Sequence, residues 1–187
     1  MDINWQWKTY DELSKTELYS MLRSRNEVFI LEKKCPWNEI DGHDEEALHL
    51  LGYDKSALVA YARLLCPKID GEAVHFGRVL VVKEHRGKGI ANIILEKIFE
   101  KIAALGYQTN RIEILANYNP ATEKLYSTFG FYPTAKPYPV EGNTELVPMA
   151  RPPLSNSKAP FSPTLFHDVV DRKKDPVQKA FQPYYGC

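Results

Sequence analysis

Residues 74–105 read VHFGRVLVVKEHRGKGIANIILEKIFEKIAAL and carry the strongest structural signal in the chain. Residues 74–82 are rich in β-branched and aromatic side chains, which is typical of a strand. From Gly89 onward, isoleucine recurs at every fourth position, which predicts an amphipathic helix that ends at Gly106. The segment RGKG joins the two, so the sequence predicts a strand, a tight turn and a helix in succession.

The turn between this strand and helix is suited to binding an anion. Glycines allow a tight turn without a Cβ, so backbone N–H groups and the helix N-terminus can face one phosphate-bearing ligand. A P-loop requires Ser or Thr after its lysine, but Gly89 follows Lys88. A dinucleotide-binding fingerprint requires a small residue where Asn92 stands and an acidic residue about 20 positions later, and both are missing.

The flanking sequence predicts further strands and helices in an α/β order. A capping box at Ser14–Glu17 opens a first helix that runs to about Leu31, and a polar loop follows it. Downstream, Asn119-Pro120 starts a last helix that ends at Gly130. Strand, helix and strand in succession imply a parallel crossover. The predicted strands cover residues 3–8, 48–53, 57–65, 74–82 and 111–116, of which 48–53, 57–65 and 74–82 are antiparallel neighbours.

Length and charge limit the class of protein. A chain of 187 residues fits one domain. Lys plus Arg and Asp plus Glu number 24 each, which argues against a nucleic acid as the main partner. The final 37 residues differ, because they contain six of the thirteen prolines and a basic excess. We therefore predict a folded domain at residues 1–150 and a Pro-rich, basic C-terminal extension at 151–187 with a docking or capping role.

The cysteines and the apolar runs indicate the surroundings of the protein. Cys35, Cys66 and Cys187 are odd in number and widely spaced, which fits neither a disulfide framework nor a zinc site. No apolar run is long enough for a membrane span, and the N-terminus lacks a signal peptide. We expect a cytoplasmic protein that binds no metal and no membrane.

Two motifs together resemble one family. The Arg-x-x-Gly-x-Ala motif of residues 86–91, between an antiparallel strand and a helix, resembles the acyl-CoA-binding motif of the GNAT superfamily of N-acetyltransferases. Asn119, Tyr126 and Gly130-Phe131 match the second half of that pattern on the following strand and helix. The resemblance covers about residues 1–150. Further similarity to the ElaA subfamily lies at Phe29–Glu32, Cys35-Pro36, Asp41-Gly42, Asp44, His49, Val59–Arg63 and Gly77–Val79.

The resemblance implies a fold and a cofactor. The fold is the α/β (α+β) GNAT fold, with a mixed, mostly antiparallel central sheet that is splayed between strands 4 and 5 and flanked by helices. Acetyl-CoA would be the co-substrate, its pantetheine arm lying in the gap against the strand edge at Val79, Leu80 and Val81. Asn119 would also contact it. The pyrophosphate would be held by Arg86, Gly87, Lys88, Gly89, Ile90 and Ala91.

The resemblance also implies direct transfer of acetyl to a primary amine in a ternary complex. A backbone N–H of the splayed strand would stabilise the oxyanion, and Tyr126 would hydrogen-bond or protonate the departing thiolate. Deprotonating a lysine-like amine of pKa about 10.4 at pH 7 costs roughly 4.6 kcal/mol, against about 1 kcal/mol for an α-amine. A base therefore matters chiefly for the former. His75 is the predicted base, and its rival Glu113 is predicted to face away by strand alternation relative to Ile114.

The acceptor side is less defined. We predict that the acceptor is a small-molecule or peptide amine. Acidic residues would attract it as a cation and would either contact it or remove its proton through a water molecule. The alternative functions are a catalytically silent acyl-CoA-sensing module and a protein-interaction role of the extension; a homodimer is the candidate assembly. The predicted substrate residues are Glu32, Asp41, Asp44 and His49. Each residue also has a purely structural interpretation: Tyr126 as a core aromatic, His75 as a solvated strand residue, His49 as a core histidine and residues 39–46 as a solvated loop.

Overall fold

A computed structural model of the chain describes residues 2–35, 38–69, 72–106, 111–140 and 144–152. Its strands are β1 (Asn4–Thr9), β2 (Leu48–Asp54), β3 (Ala57–Leu65), β4 (Val74–Val81), β5 (Ile112–Asn117), β6 (Tyr132–Pro133), β7 (Tyr138–Val140) and β8 (Thr144–Arg151). Its α-helices are α1 (Lys15–Arg25), α2 (Ile90–Leu105) and α3 (Pro120–Thr128), with a π-helical segment at Asn26–Glu32 and a 3-10 turn at Lys83–His85.

The strands form one mixed sheet in the order β1-β2-β3-β4-β5-β8-β6, with β7 beside β8. Strands β1 to β4 are antiparallel neighbours, β4 and β5 are parallel, and β5 and β8 are antiparallel. The parallel ladder joins Val74 to Ile112 and His75 to Glu113, and the described strands share no pairing beyond these two positions. A gap therefore opens between β4 and β5 toward their carboxyl ends. The predicted mixed sheet, splayed between strands 4 and 5, is confirmed.

The α-helices begin where the caps predict, and α2 also ends at the predicted glycine. Ser14 and Glu17 form both bonds of the capping box of α1. Helix α2 lies between Gly89 and Gly106, whose φ angles of 77° and 67° are left-handed and suit glycine. The first helix differs from the prediction, because after Arg25 the chain continues as a π-helical segment rather than as an α-helix. Since π-helices are rare and frequently occur at functional sites, this segment bears on the site below.

Two apolar clusters lie on opposite faces of the sheet. One packs α2 and α3 against the strands, and its isoleucine stripe includes the fully buried Ile94 and Ile98. The other packs α1 and the π-helical segment against β2, β3 and β4, through residues such as Met21 and Phe29. The sheet is thus covered on both sides, and residues of β4 and β5 reach either face by alternation.

The C-terminal part of the sheet is longer than predicted. The sequence predicts one or two short strands after Gly130, whereas β6, β7 and an eight-residue β8 are present. Strand β8 includes Pro148, which lacks an N–H donor but whose carbonyl accepts a hydrogen bond from Thr134 N at 2.9 Å. Proline therefore interrupts the pattern in the sequence without ending the strand.

Residues 153–187 lie outside the described residues. The boundary near residue 150 and the docking or capping role of the extension therefore stay predictions. Among the helices that the structure describes, none combines the length and the apolar character that crossing a membrane requires.

Candidate active site

The gap between β4 and β5 forms the centre of the candidate site. Strand β4 pairs with β3 along one edge, and its other edge faces the gap beyond His75. Val79 and Val81 pack toward the cluster of α2, whereas Leu80 packs toward that of α1. The predicted pantetheine-binding residues therefore lie on the strand edge that an extended ligand can reach.

A bulge interrupts β4 in its middle. Arg78 has a φ of 53°, in the left-handed region that residues other than glycine seldom adopt. In the ladder with β3, the two residues Arg78 and Val79 lie opposite the single residue Ala62. The extra residue shifts the alternation of side chains, so that Phe76 and Val79 both pack toward the cluster of α2. The bulge thus determines which side chains and backbone groups of β4 face each side of the sheet.

The turn formed by residues 86–91, here called the phosphate turn, lies at the mouth of the gap. Gly87 and Gly89 have φ angles of 74° and 77°, and a Cβ built on either would meet no atom within 4 Å. The positive φ angles favour glycine there, and the space above the turn is open to a ligand. Because helix α2 begins at Ile90, its N-terminal N–H groups add to a site suited to a diphosphate.

Glu32 binds the phosphate turn. The two terminal nitrogens of Arg86 donate to the two carboxylate oxygens of Glu32, one pair at 2.8 Å, and Arg86 Nε donates to Val81 O at 2.8 Å. Hydrogen bonding from Arg86 lowers the pKa of Glu32 despite some burial. The predicted substrate residue Glu32 therefore contacts the phosphate turn.

Cys35 contacts β5, on the opposite side of the gap from the phosphate turn. It is fully buried, and Asn117 Nδ2, at the end of β5, donates to its Sγ at 3.5 Å. Residues 32–35 therefore span the mouth of the gap from the phosphate turn to β5. Within the described ranges, no group of three or more His, Cys, Asp or Glu side chains is arranged to hold a metal ion.

Helix α3 carries two of the predicted residues. Asn119 is its N-cap, and its side-chain oxygen accepts from Thr122 N at 2.9 Å. Tyr126 is 8% exposed, and its ring centroid lies 6.3 Å from that of Phe76 and 5.8 Å from that of Phe131. Phe76 is the first β4 residue beyond the paired positions, so Tyr126 lies beside the point at which the gap opens.

His75 and Glu113 meet at the last paired position before the gap. His75 Nε2 lies 3.7 Å from Glu113 Oε2, and both side chains are buried on the face opposite Phe76 and Ile114. Burial, with a smaller effect of the nearby Arg111, lowers the pKa of His75 to about 4, so the ring is neutral at pH 7. Burial raises the pKa of Glu113, although Arg111 opposes the change.

These positions change the interpretation of the two candidate bases. His75 is buried rather than solvated, and its ring has lost much of the basicity that made an ordinary histidine attractive. Glu113 does turn away from the face of Ile114, as alternation predicts, but this places it beside His75. The two candidates are neighbours, a fact that depends on the register of strands distant in sequence.

Six charged side chains form a buried cluster on the α1 face of the sheet, here called the charged cluster. Arg25 Nε lies 2.7 Å from Glu39 Oε1, and Arg25 Nη1 lies 2.7 Å from Asp44 Oδ1. Arg63 pairs with Asp41 and, at 2.9 Å, with Asp44. The members are Arg25, Arg63, Arg78, Glu39, Asp41 and Asp44, three of each sign.

The charged cluster changes the interpretation of the acidic loop. Burial opposes ionisation of Asp41 and Asp44, but hydrogen bonds and positive charge from the arginines outweigh it and lower the pKa of both. His49 is fully buried, with its ring nitrogens 2.8 Å from Tyr61 Oη and 3.0 Å from Asp44 O. Burial and pairing argue against direct substrate contact by Asp41, Asp44 and His49. Of the acidic residues in the loop, Glu39, Asp41 and Asp44 have buried side chains paired with arginines, whereas Glu45 and Glu46 are exposed.

The arginines of the charged cluster are the residues that sequence reasoning missed. Arg25 stands in the apolar stripe of the first helix, between Met21 and Val28. Arg63 lies in a strand whose neighbours are almost all apolar. An arginine at a position that the period assigns to the core signals a buried ion pair, and the loop of residues 38–46 contains five acidic residues, three of which are the partners.

Comparison with known proteins agrees with this geometry. Residues 11–152 match the acetyltransferase (GNAT) domain family. ElaA of Escherichia coli K12 is 35% identical over 150 residues, which cover 75% of this chain and 91% of that protein. A UPF0039 protein of Synechocystis is 34% identical over 143 residues, covering 76% of this chain and 91% of the relative.

Two solved structures extend the comparison. The crystal structure of Escherichia coli ElaA, 34% identical, superposes with a TM-score of 0.71 and covers 80% of this chain and 99% of that one. An acyl-CoA N-acyltransferase from Pseudomonas aeruginosa, 30% identical, superposes with a TM-score of 0.72 over 80% and 99% of the two chains. With its splayed sheet and its glycine-rich phosphate turn, the chain belongs to the GNAT acetyltransferase family, among the ElaA-like proteins.

Proposed function

We propose that the protein is an acetyl-CoA-dependent N-acetyltransferase that acts on a primary amine of a small molecule or peptide. The observation that carries the proposal is the gap between β4 and β5, which has the phosphate turn at its mouth and Tyr126 beside its closed end. A GNAT acetyltransferase from Elizabethkingia anophelis, which shares the fold at 15% identity and a TM-score of 0.57, was solved with acetyl-CoA bound.

The residues present fit such a co-substrate. The open turn at Gly87 and Gly89 and the N-terminus of α2 would hold the pyrophosphate. The edge of β4 at Val79–Val81 would pair with the amides of the pantetheine arm, as an added strand does. Asn119, at the start of α3, would contact the arm from the other side of the gap. When bound, acetyl-CoA supplies the activated acetyl thioester.

Tyr126 and the bulge of β4 would assist the transfer. The neutral amine forms a bond to the acetyl carbonyl carbon while the carbon–sulfur bond breaks, so the acetyl group leaves CoA directly. A backbone N–H at the bulge stabilises the negative charge that develops on the carbonyl oxygen. The Tyr126 hydroxyl donates its proton to the departing sulfur, and the surplus proton of the amine ultimately restores that hydroxyl. The products are the N-acetyl amine and CoA thiol.

His75 and Glu113 together are the proposed route for the proton of the amine. Because burial raises the pKa of Glu113, its carboxylate is a better proton acceptor than an exposed one. His75, neutral and next to it, can relay a proton without introducing a further charge. An α-amine needs little such help, since it costs only about 1 kcal/mol to deprotonate at pH 7.

Release of CoA thiol tests the proposal. The purified protein is incubated with acetyl-CoA and a panel of amines comprising peptide α-amines, lysine side chains, polyamines and small primary amines. We expect thiol release that depends on one class of amine, after CoA binding has been verified by calorimetry. Binding of CoA without turnover of any amine would contradict an enzyme and favour the sensing module. The cytoplasmic location, the homodimer and an interaction role of residues 151–187 stay predictions.

A further inference from the structure

The bulge at Arg78 holds a conformation that its residue type disfavours. Glycine takes positive φ angles freely, whereas a residue with a Cβ does so at a cost in free energy. Arg78 adopts a φ of 53° in the middle of β4, directly after Gly77. Such a conformation persists only where the surrounding structure holds it, and it occurs preferentially at functional sites.

The charged cluster holds Arg78 in this conformation. The side chain of Arg78 is 6% exposed, and its Nε lies 2.9 Å from Glu39 Oε1. Its Nη2 lies 3.0 Å from Asp41 Oδ2 and 3.4 Å from Asn38 O. The guanidinium therefore forms an ion pair with Glu39 at Nε, without the geometry of a hydrogen bond, and donates hydrogen bonds from Nη2 to Asp41 and Asn38, all in the loop of residues 38–41.

That loop is itself held by the other two arginines. Glu39 also pairs with Arg25, and Asp41 also pairs with Arg63. Each carboxylate that contacts Arg78 therefore has a second arginine partner from α1 or β3. The bulge is connected to both elements through buried, charge-assisted contacts, which are more rigid than exposed pairs.

The position of the bulge gives this arrangement a consequence for the reaction. The extra residue decides which backbone N–H groups between Gly77 and Val79 face the gap rather than β3. An N–H donor stabilises charge on a carbonyl oxygen only when it is held in place before the reaction. A mobile bulge would bind acetyl-CoA but polarise its carbonyl poorly.

We propose that Arg78 is a positioning residue: through Glu39 and Asp41 it fixes the β4 bulge so that a backbone N–H polarises the thioester carbonyl. The proposal rests on the proposed function, because it requires acetyl-CoA in the gap. It assigns the charged cluster to the transfer step instead of to contact with the amine.

The test uses the NMR resonance of acetyl-CoA labelled with ¹³C at the carbonyl, with no amine present. The variant Arg78→Gly removes the guanidinium, tolerates the positive φ and places two glycines in succession, so the bulge folds but loses its anchor. The variant Arg78→Lys keeps one cation. The control is Lys55→Gly, because Lys55 also has a positive φ, of 56°, but lies exposed in the turn between β2 and β3.

We expect the bound carbonyl resonance of the wild type to move downfield of that of free acetyl-CoA. Arg78→Gly should lose at least half of that shift, Arg78→Lys should recover part of it, and Lys55→Gly should keep it. The dissociation constant for CoA should stay within twofold, and kcat per CoA-binding site should fall at least tenfold in Arg78→Gly. A merely structural role would lower the folded fraction without changing either the shift or this normalised kcat.

Two results overturn the proposal alone: an unshifted carbonyl in the wild type, or a wild-type shift in Arg78→Gly. Failure of the wild type to bind acetyl-CoA would overturn the proposed function, and this inference with it. Binding with the expected shifts but without turnover of any amine would uphold the positioning role and contradict the enzyme.

Discussion

His75 and Glu113 show how the surroundings of one residue set its chemistry. The two residues are adjacent on neighbouring strands, and both are buried. The pKa of the His75 imidazole is lowered to about 4, and the pKa of the Glu113 carboxyl is raised. Both changes favour the neutral form, as expected when burial dominates. At the mouth of the gap, Glu32 shows the opposite behaviour, because a bond from Arg86 stabilises its charged form.

The lowered pKa of His75 predicts an acid-sensitive fold. Unfolded histidine titrates near pH 6.5, so between about pH 6.5 and 4 the unfolded chain binds a proton that the folded chain does not. The free energy of unfolding should therefore fall as the pH is lowered through this window, by up to roughly 3 kcal/mol from His75. The raised pKa of Glu113 acts in the opposite direction and reduces the net change.

Urea unfolding of wild type and His75→Gln between pH 4 and 7.5 measures this contribution. The variant cannot gain the proton, so the difference in unfolding free energy between the two proteins should change with pH across the window. A pH-independent difference would contradict the burial of His75 as a neutral ring.

Glu32 predicts an effect on CoA affinity. Its carboxylate occupies the two terminal nitrogens of Arg86, while Val81 O occupies Nε, so a pyrophosphate must displace Glu32 to form a bidentate bond. Like charges also repel, so Glu32→Gln should tighten CoA binding roughly threefold to tenfold at low ionic strength. Calorimetry with CoA, and with pantetheine, which lacks the pyrophosphate, measures the effect.

Pantetheine affinity should stay unchanged in Glu32→Gln. The control variant is Glu27→Gln, which lies on the same π-helical segment but pairs with Arg23 at 3.4 Å. Weaker CoA binding in Glu32→Gln would show instead that the carboxylate holds Arg86 ready for the ligand.

At the scale of helices and strands, the sequence predicted the features that depend on interactions between residues close together in the chain. The capping box of α1, the glycines around α2 and the Asn-Pro start of α3 each lie within a few residues of the structure that they set. The π-helical segment, the bulge and the full length of β8 were not predicted, because each depends on contacts with distant parts of the chain. The bulge at Arg78 is an example: its sequence lacks a glycine at the left-handed position, and the anchoring carboxylates lie in another loop.

Two variants can separate the role of Asn119 as the cap of α3 from its proposed contact with the pantetheine arm. Its side-chain oxygen caps the helix through Thr122 N, and its amide nitrogen lies 3.3 Å from Asn117 O and 2.8 Å from Thr122 Oγ1. Asn119→Ala should destabilise the fold by about 1 kcal/mol, whereas Asn119→Ser keeps a capping hydroxyl and should cost less than about 0.5 kcal/mol. If the amide also contacts the pantetheine arm, both variants should weaken CoA binding.

Chemical denaturation and calorimetry on the same two variants make the comparison. A serine variant with wild-type stability and wild-type CoA affinity would restrict Asn119 to capping α3.

For the whole molecule, the sequence was most informative about the acyl-CoA side and least about the acceptor side. The phosphate turn and Tyr126 lie on one continuous strand, helix, strand and helix unit, so their spacing is visible in the sequence. The charged cluster draws on α1, β3, β4 and the loop between the π-helical segment and β2, and only the fold brings these together. The predicted acidic acceptor surface therefore became a paired interior cluster.

The extent of the folded unit predicts the effect of truncation. The family match ends at residue 152, and the last strand that the structure describes ends at Arg151. Removing residues 153–187 should leave the CoA dissociation constant within twofold of wild type and the free energy of unfolding within about 0.5 kcal/mol. Sedimentation and urea unfolding of the two proteins would check this. Loss of folding would make the extension part of the core.

The central claim is that acetyl passes from CoA to an amine at the β4–β5 gap with Tyr126 as the acid. Mass spectrometry of an amine mixture, incubated with the protein and acetyl-CoA deuterated in its methyl group, tests it most directly. We predict that the label appears on at least one amine in proportion to the CoA released. In Tyr126→Phe it should appear roughly a hundredfold more slowly, with CoA affinity unchanged. Unlabelled amines in the presence of bound acetyl-CoA, or equal rates in Tyr126→Phe, would contradict the account.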